Sequence, residues 1–330
     1  MRDWKVFTSR GEPHGGLHDL PPPPPWRFSR TCKPLQRPKQ LDLEAEAARA
    51  RPFLATEEMV IAVNAALYLR RPLLVTGKPG TGKSSLIAKV AHELELGPVI
   101  RWPITSRSTV RGGIYEYDAV GRLQAGASTT PPVDQYLTLG PLGTALAAES
   151  WPRPLLVDEI DKSDLDFAND LLNVIEEGEY EIPELRRLGQ DEVQIRDWLG
   201  ERVCVRGGRL VCGQFPFVVM TSNGEREFPP AFLRRCVRLN LEPPDPKQLA
   251  TIVRSHLHQH ASTMDEREVS ALIEHFTTLR AENVDVSTDQ LLNAVFMTIA
   301  MKDPRLRSFS AAELEALRQN LLRQLSGPLA

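Results

Sequence analysis

The chain has 330 residues, of which 42% are hydrophobic and 25% are charged, and its formal net charge is −3 at pH 7. This composition is typical of a folded protein with enough chain for two domains, and no apolar run is long enough to cross a membrane. The slightly acidic balance disfavours a surface devoted to nucleic acid. The first residues lack the apolar segment of a signal peptide, so we expect a cytoplasmic protein.

The first 40 residues differ in composition from the rest of the chain. They contain five consecutive prolines, Pro21 to Pro25, and scattered basic side chains such as Arg27 and Lys33. Proline lacks a backbone N–H group and cannot enter the interior of a helix or a sheet. The composition therefore predicts a disordered, polyproline-like arm over residues 1–40. Docking of this arm on an aromatic groove of a partner is the alternative to a plain tether.

Apolar, strand-like segments alternate with helix-like segments over residues 41–244. Strands are predicted just before residue 77 and over 99–104, 154–157, 215–220 and 237–241, with clear helices over 56–69 and 163–177. This alternation is typical of an α/β domain with a doubly wound parallel sheet. The strand signal stops near Asp245, so residues 245–330 are predicted to form a small all-helical lid domain. Its last helix is expected to begin at the capping box Ser310-Ala311-Ala312-Glu313.

A phosphate-binding motif joins the first predicted strand to the helix that follows. Residues 77–84 read G-x-x-x-x-G-K-[ST], a loop whose backbone N–H groups face a polyphosphate at the positive end of a helix. Lys83 is expected against the β- and γ-phosphates of ATP, and the Ser84 hydroxyl on Mg²⁺. The predicted nucleotide-binding residues are Gly77, Lys78, Pro79, Gly80, Thr81, Gly82, Lys83, Ser84 and Ser85. A bare glycine-rich turn is the alternative, and the flanking strand and helix disfavour it.

Polar side chains end two further predicted strands. Leu155-Leu156-Val157-Asp158-Glu159 is an apolar strand with two acids at its carboxyl end, where ligands bind in parallel sheets. Asp158 is predicted to join the Mg²⁺ shell, and Glu159 to orient and deprotonate the water that attacks the γ-phosphate. Asn223 ends the next such strand and can hydrogen-bond the γ-phosphate or that water. Solvated acids at a strand end, and an ordinary turn asparagine before Gly224, are the alternatives.

Two arginines, Arg234 and Arg235, precede the last predicted strand. They are either solvated side chains or an arginine finger, which stabilises the transferring phosphoryl group of a neighbouring subunit.

Taken in order, these four motifs resemble those of an AAA+ ATPase: Walker A, Walker B, sensor 1 at Asn223 and the arginine finger. Within that group the chain is similar to the MoxR family over residues 62–74, 140–142, 171–176 and 230–235, and the resemblance covers roughly residues 50 to 300. It implies an AAA+ P-loop domain with a parallel five-stranded sheet and a helical lid. Matching the family's Leu-Asp-Arg-Phe to residues 233–236 makes Arg235 the preferred finger and Arg234 the runner-up.

The resemblance also identifies two insertions and one difference from the family's sequence pattern. Residues 113–139 occupy the place of the family's helix-2 insert, a β-hairpin facing the ring pore, and residues 186–213 that of the pre-sensor-1 insertion. Where the family usually has Ser-Pro-Arg at the start of a lid helix, this chain has Ser287-Thr288-Asp289-Gln290. The sensor-2 arginine is missing, which implies slow or partner-dependent turnover.

The resemblance implies an ATPase that works as a homo-oligomeric ring, a hexamer by our prediction, to remodel or activate partner proteins. Such partners often carry von Willebrand A domains, and bacterial relatives also occur in defence or conflict systems. The alternative is an ATP-gated switch or assembly scaffold with little turnover. A nucleic-acid motor is disfavoured by the acidic balance, and salt-sensitive DNA binding would revive that interpretation.

Other potential metal ligands give weaker patterns. His256 and His260 share a helix face with the spacing of a metal pair, but no carboxylate or cysteine group accompanies them, so a solvated lid helix is preferred. The cysteines Cys32, Cys204, Cys212 and Cys236 lack paired spacing and are predicted to be free thiols.

Overall fold

A computed structural model of the chain describes residues 4–27, 33–38, 44–125, 132–258, 265–282, 284 and 286–300. These residues fall into two compact units. The first takes the described residues of Met1–Ala50, Ala55–Thr76 and Ser84–Asn240, and the second those of Arg51–Leu54, Gly77–Lys83 and Leu241–Ala330. The predicted domain boundaries at residues 40 and 244 stay predictions.

A parallel sheet of five strands forms the centre of the α/β fold. Its strands are β1 (Leu73–Gly77), β2 (Ile100–Pro103), β5 (Pro154–Asp158), β10 (Phe217–Ser222) and β11 (Val237–Leu241), in the order β11-β1-β10-β5-β2. The strands are short apolar runs because both faces of the sheet are covered. Leu74, Leu155 and Val218 pack in one core, and Leu73, Val75 and Leu156 are also buried. The predicted AAA+-type sheet is confirmed.

The order of these strands brings the polar strand ends together. β10 lies between β1 and β5, with Leu73 opposite Val219 and Val219 opposite Leu156. Since all three strands run in the same direction, their carboxyl ends meet at one edge of the sheet.

A second sheet is built from the two predicted insertions together with a short strand over residues 179–181. Its strands are β3 (Tyr115–Tyr117), β4 (Leu137–Leu139), β6 (Glu179–Glu181), β7 (Glu192–Arg196), β8 (Arg202–Arg206) and β9 (Arg209–Val211), in the order β3-β4-β7-β8-β9-β6. The pore-facing hairpin expected for residues 113–139 stays a prediction. The antiparallel pair β3–β4 lies within this range, with a helix over residues 119–125 between the two strands along the chain. This pair does not stand alone, because β4 also pairs with β7 of the other insertion.

Helices of the first unit begin and end at recognisable signals. Thr56 caps the helix after it by accepting from Met59 N, and Asp164 caps another by accepting from Phe167 N, while Gly178 ends that helix in the left-handed conformation. The helices before residue 240 are α1 (Glu44–Ala50), α2 (Glu57–Leu69), α3 (Lys83–Glu93), α4 (Val110–Ile114), α5 (Ala119–Ala125), α6 (Pro141–Leu146), α7 (Leu165–Glu177), α8 (Pro183–Arg186) and α9 (Pro230–Leu233).

The described residues of the second unit form three further helices, α10 (Pro246–His256), α11 (Glu266–Ala281) and α12 (Thr288–Ala300). Each presents an apolar stripe to a shared core, with Val253, Phe276 and Leu291 fully or almost fully buried. After β11 the described residues are helical or irregular, as predicted for a lid. The helix expected to start at Ser310 lies outside the described residues.

The described part of the N-terminal arm is packed against the first unit, which corrects the prediction of a disordered arm. Val6, Phe7 and Leu17 are buried. Asn64 of α2 accepts from the backbone of Phe7 (3.0 Å) and donates to its carbonyl oxygen (2.7 Å), as a neighbouring strand would. Glu93, at the end of α3, accepts from Thr8 and from the following residues. Polar side chains thus satisfy an irregular backbone that proline-rich composition keeps out of helices and sheets.

No helix among the described residues is both long enough and apolar enough to cross a membrane.

Candidate functional site

The phosphate loop has a conformation that its glycines make possible. Gly80 and Gly82 have φ values of +74° and +85°, where other residues are strained. Buried Lys83 donates from Nζ to the carbonyl oxygens of Gly77 (2.7 Å) and Lys78 (3.0 Å). The Thr81 hydroxyl also donates to the Lys78 carbonyl at 2.8 Å. The lysine amine therefore lies over the loop, at the position where the motif needs a positive charge.

Within the second unit, the start of α12 lies directly against this loop. A Cβ atom added at Gly80 would come within 2.7 Å of Thr288 N and 2.8 Å of Ser287 Cβ. The Thr288 hydroxyl accepts from Arg280 Nη2 at 3.3 Å. The lid is thus in contact with the phosphate loop through backbone and small side chains.

In the first unit, Ser84 and Asp158 meet at the carboxyl edge of the central sheet. The Ser84 hydroxyl donates to Asp158 Oδ1 at 2.9 Å, although 74 residues separate them. A hydroxyl and a carboxylate oxygen at this spacing are the hard oxygen donors that Mg²⁺ prefers. The structure therefore brings together the two residues predicted to hold the metal.

Thr221 is a site residue that the sequence did not reveal. It lies on β10 beside β5, and its hydroxyl donates to Asp158 Oδ1 at 2.5 Å. The Thr221 hydroxyl oxygen also accepts from the backbone N–H of Glu159 at 2.9 Å. One buried hydroxyl therefore fixes both acidic residues. In the sequence, Thr221 is one of several polar residues at the end of an apolar strand, and this pattern does not distinguish it from its neighbours.

Glu159 is held in an unusual backbone conformation. Its φ and ψ of 59° and 50° lie in the left-handed region, which is uncommon for residues other than glycine. Its Oε2 lies 2.5 Å from Lys162 Nζ, and Asn223 Nδ2 donates to its Oε1 at 3.4 Å. The hydrogen bond with Glu159 raises the pKa of the Lys162 ammonium. The predicted base and the predicted sensor are therefore neighbours, and Lys162 is a third partner that the sequence did not indicate.

Asp161 positions the loop that carries Asn223. Its Oδ2 accepts from the backbone N–H of Asn223 at 2.9 Å and from that of Glu225 at 3.2 Å. The side chain is almost fully buried, and its other oxygen has no hydrogen-bond partner among the described residues. A buried carboxylate that accepts backbone N–H groups is an anchor for a turn.

The two candidate finger residues have different surroundings. Arg235 Nη1 donates to Asn173 Oδ1 at 2.8 Å, and its Nε lies 3.5 Å from Glu176 Oε2, both on α7. Arg234 is exposed and donates from Nε to the Pro230 carbonyl oxygen at 3.2 Å. Its own carbonyl oxygen accepts from Arg71. Within the described part of the chain, neither arginine is in contact with Asp158 or Glu159.

A family model described as AAA domain (dynein-related subfamily) matches residues 72–236, half of the chain. The chain belongs to this AAA family. The matched segment contains the phosphate loop, the Asp158–Glu159 pair, Asn223 and both arginines. AAA domains bind nucleotide and commonly assemble into rings. A search of curated proteins found no match.

Solved structures that match this chain do so at low similarity. Domain III of the replication initiation protein DnaA from Thermotoga maritima is 18% identical, with a TM-score of 0.42, and the alignment covers 84% of this chain and 96% of that one. NtrX from Brucella abortus, in complex with ADP, is 12% identical, with a TM-score of 0.41, and the alignment covers 82% of this chain and 58% of that one. Similarity at this low level is not evidence about function.

The cysteine and histidine side chains of this AAA protein lie in different surroundings. Burial raises the pKa of the Cys236 thiol to about 12, Cys212 is buried and Cys204 is half-buried, while Cys32 lies outside the described residues. Burial lowers the pKa of His256, and His260 is not described. No group of three metal-binding side chains occurs in the parts of the chain that the structure describes.

Proposed function

We propose that this AAA protein is a Mg²⁺-dependent ATP hydrolase of the MoxR type, which works as a ring to remodel or activate partner proteins. The observation that carries the proposal is the meeting of Ser84, Asp158 and Glu159 at one sheet edge. Ser84 belongs to the phosphate motif, and its hydroxyl bonds the aspartate that precedes the predicted base.

Each residue of the site has a chemical role in this proposal. Lys83 would exchange its bonds to loop carbonyls for the β- and γ-phosphates. Ser84 and Asp158 would hold Mg²⁺, which when bound neutralises charge on the phosphate oxygens. Glu159 would accept the proton of the attacking water, and Asn223, already 3.4 Å from that carboxylate, would orient the same water.

The ion pair between Glu159 and Lys162 favours a second candidate function, an ATP-gated switch or scaffold with little turnover. A carboxylate that bonds an ammonium is a weaker base, because the nearby positive charge favours its ionised form. The chain also lacks the sensor-2 arginine, since Thr288 and its neighbours replace Ser-Pro-Arg. Both features restrain hydrolysis without restraining nucleotide binding. Phosphate release from the purified protein, measured with and without candidate partners, separates the two functions.

The proposed finger also supports assembly into a ring, which we expect to be a hexamer. An arginine that is remote from its own Asp158–Glu159 pair can act only on a neighbouring subunit, and head-to-tail contacts that close on themselves form a ring. The 113–139 insert is proposed to line the pore. Its helix α5 exposes Val120 and Leu123, at 65% and 80% of their surface, which suits contact with an unfolded segment of a partner. A von Willebrand A domain is the partner class that the MoxR resemblance suggests.

The primary test replaces Glu159 with glutamine. The variant should bind ATP as the wild type does and lose hydrolysis, because the amide cannot accept the proton from water. Lys83→Ala is the comparison, since it should lose nucleotide binding itself. Nucleotide affinity and phosphate release are both measured. If Glu159→Gln hydrolyses ATP at the wild-type rate, the assignment of the base is wrong.

A further inference from the structure

Glu176, near the end of α7, bridges two arginines from distant parts of the chain. Its Oε1 lies 3.1 Å from Nη1 of Arg27, which belongs to the N-terminal arm. Its Oε2 lies 3.5 Å from Nε of Arg235, the preferred arginine finger. All three residues belong to the first unit. The arm, α7 and the candidate finger are thus joined by one carboxylate.

Arg235 is held at two points of its guanidinium group. Nε faces Glu176, and Nη1 donates to Asn173 Oδ1 at 2.8 Å. Asn173 and Glu176 are three residues apart and so lie on one face of α7. A guanidinium group has five N–H donors, so these two contacts leave the Nη2 group available. The side chain remains 38% exposed, which keeps that group accessible to a partner molecule.

Arg27 changes the charge that Arg235 can offer. A carboxylate paired only with Arg235 would cancel much of its positive charge. Because Arg27 shares Glu176, the cluster of two arginines and one glutamate retains a net positive charge. Arg27 is itself only 6% exposed in its side chain, and its Nε has no hydrogen-bond partner among the described residues. Burial of a guanidinium in this way is costly, and Glu176 is the acid that compensates it.

We propose that Asn173 and Glu176 are positioning residues that pre-organise Arg235 for the nucleotide of a neighbouring subunit, and that Arg27 of the arm preserves the charge of this finger. The proposal rests on the proposed ring ATPase. An unrestrained arginine loses rotamer freedom when it binds a phosphate, and a finger fixed beforehand avoids that loss. The proposal also gives the docked arm a role, because Arg27 would affect the rate of hydrolysis.

The test uses mixtures of two subunits that are each inactive. The donor carries Lys83→Ala, so it binds no nucleotide but keeps Arg235. The acceptor carries Arg235→Ala, so it binds nucleotide and lacks the finger. Activity in the mixture arises only where an acceptor's nucleotide faces a donor's Arg235. Asn173→Ala is then added to one subunit at a time. Asn173 is exposed, so its loss should leave the fold intact.

In the donor, Asn173→Ala should lower the rate of the mixture roughly tenfold, the scale of one hydrogen bond to a charged group. In the acceptor, whose finger is already absent, the same substitution should have no further effect. A structural role of Asn173 would lower the rate equally from either subunit, and that result, or no loss from the donor, would overturn the proposal. If the two parent variants show no joint activity, the trans arrangement of the proposed function fails, and the inference fails with it.

Two further substitutions in the donor test the charge argument. Arg27→Met should lower the rate of the mixture, because Glu176 then cancels the charge of Arg235, and Arg27→Lys should restore part of it. Glu177→Gln is the matched control, since Glu177 is exposed at the end of the same helix and makes no ion pair with any described residue. Equal rates for the Met and Lys variants, with thermal melting showing that both are folded, would contradict the role given to Arg27.

Discussion

The Thr221 hydroxyl lies 2.5 Å from Asp158 Oδ1, and this contact connects two strands that are far apart in sequence but adjacent in the sheet. The Thr221 hydroxyl oxygen also accepts from the backbone N–H of Glu159. Thr221 therefore sets the orientation of the carboxylate proposed to hold Mg²⁺ and of the residue proposed to act as base.

Thr221→Val should impair hydrolysis more than nucleotide binding. Valine has nearly the same shape but lacks the hydroxyl, so Asp158 loses a donor and the Glu159 N–H loses its acceptor. We expect phosphate release to fall by roughly 10–100-fold and stability to fall by about 1–3 kcal/mol, the scale for buried polar groups left unpaired. Thr221→Ser keeps the hydroxyl and is the control. Equal rates of phosphate release from the Val and Ser variants would show that Thr221 does not orient the site.

Glu93→Gln should release the N-terminal arm. The Glu93 side chain is fully buried and accepts from Thr8 N (2.6 Å), Thr8 Oγ1 (2.9 Å), Ser9 N (3.0 Å) and Gly11 N (3.1 Å). An amide has one accepting oxygen, so at least one of these donors would face an N–H group. We expect a loss of about 2 kcal/mol or more and faster amide hydrogen exchange at Thr8, Ser9 and Gly11. Glu12→Gln, at an exposed position, is the control. Unchanged exchange at these amides would contradict the role of Glu93.

Gly80→Ala should disturb the phosphate loop by a clash as well as by backbone strain. Its φ is +74°, and the added methyl group would meet Thr288 N at 2.7 Å. Gly189 is a matched control, because its φ is +65° but nothing lies within 4 Å of an added Cβ. We expect Gly189→Ala to cost about 1 kcal/mol, and Gly80→Ala about 1–3 kcal/mol more together with weaker nucleotide binding. The check is thermal melting with a nucleotide titration. Similar losses of stability for both variants would show that the contact between Gly80 and Thr288 does not affect stability.

We expect the helical unit to become less stable as the pH decreases, because His256 becomes protonated. Burial lowers the pKa of this imidazole below its ordinary value of 6.5, and Asp289 opposes the shift. The unfolded chain then binds a proton more readily than the folded one, so the stabilising contribution is complete above pH 6.5 and is lost as pH falls through the folded-state pKa. Thermal melting between pH 7.5 and 5 should show this loss, and His256→Gln should reduce it. An identical pH dependence in both proteins would contradict the assignment.

The nucleotide site illustrates how much the sequence alone predicts. The phosphate loop is recognisable because its chemistry requires glycines at positive φ and a lysine at a fixed spacing, and these are local requirements. Asp158, Glu159 and Asn223 were found because each follows an apolar strand at the edge where ligands bind. The doubly wound parallel sheet could be predicted from the alternation of strands and helices, since such segments have few arrangements that bury both sheet faces. The AAA assignment came from the resemblance of the ordered motifs.

Only the tertiary structure decided which side chains hold these residues in place. Thr221 and Asp161 make their contacts because β10 lies beside β5, an order in the sheet that differs from the order along the chain. Lys162 instead pairs with Glu159, three residues before it, in the turn that follows β5. Composition predicted irregular backbone in the arm but not its docking, because the donors of Thr8 and Phe7 find their acceptors on Glu93 and Asn64, more than fifty residues away. Local propensity reports the conformation of a segment. Its partners depend on which distant surfaces the fold brings within hydrogen-bonding distance.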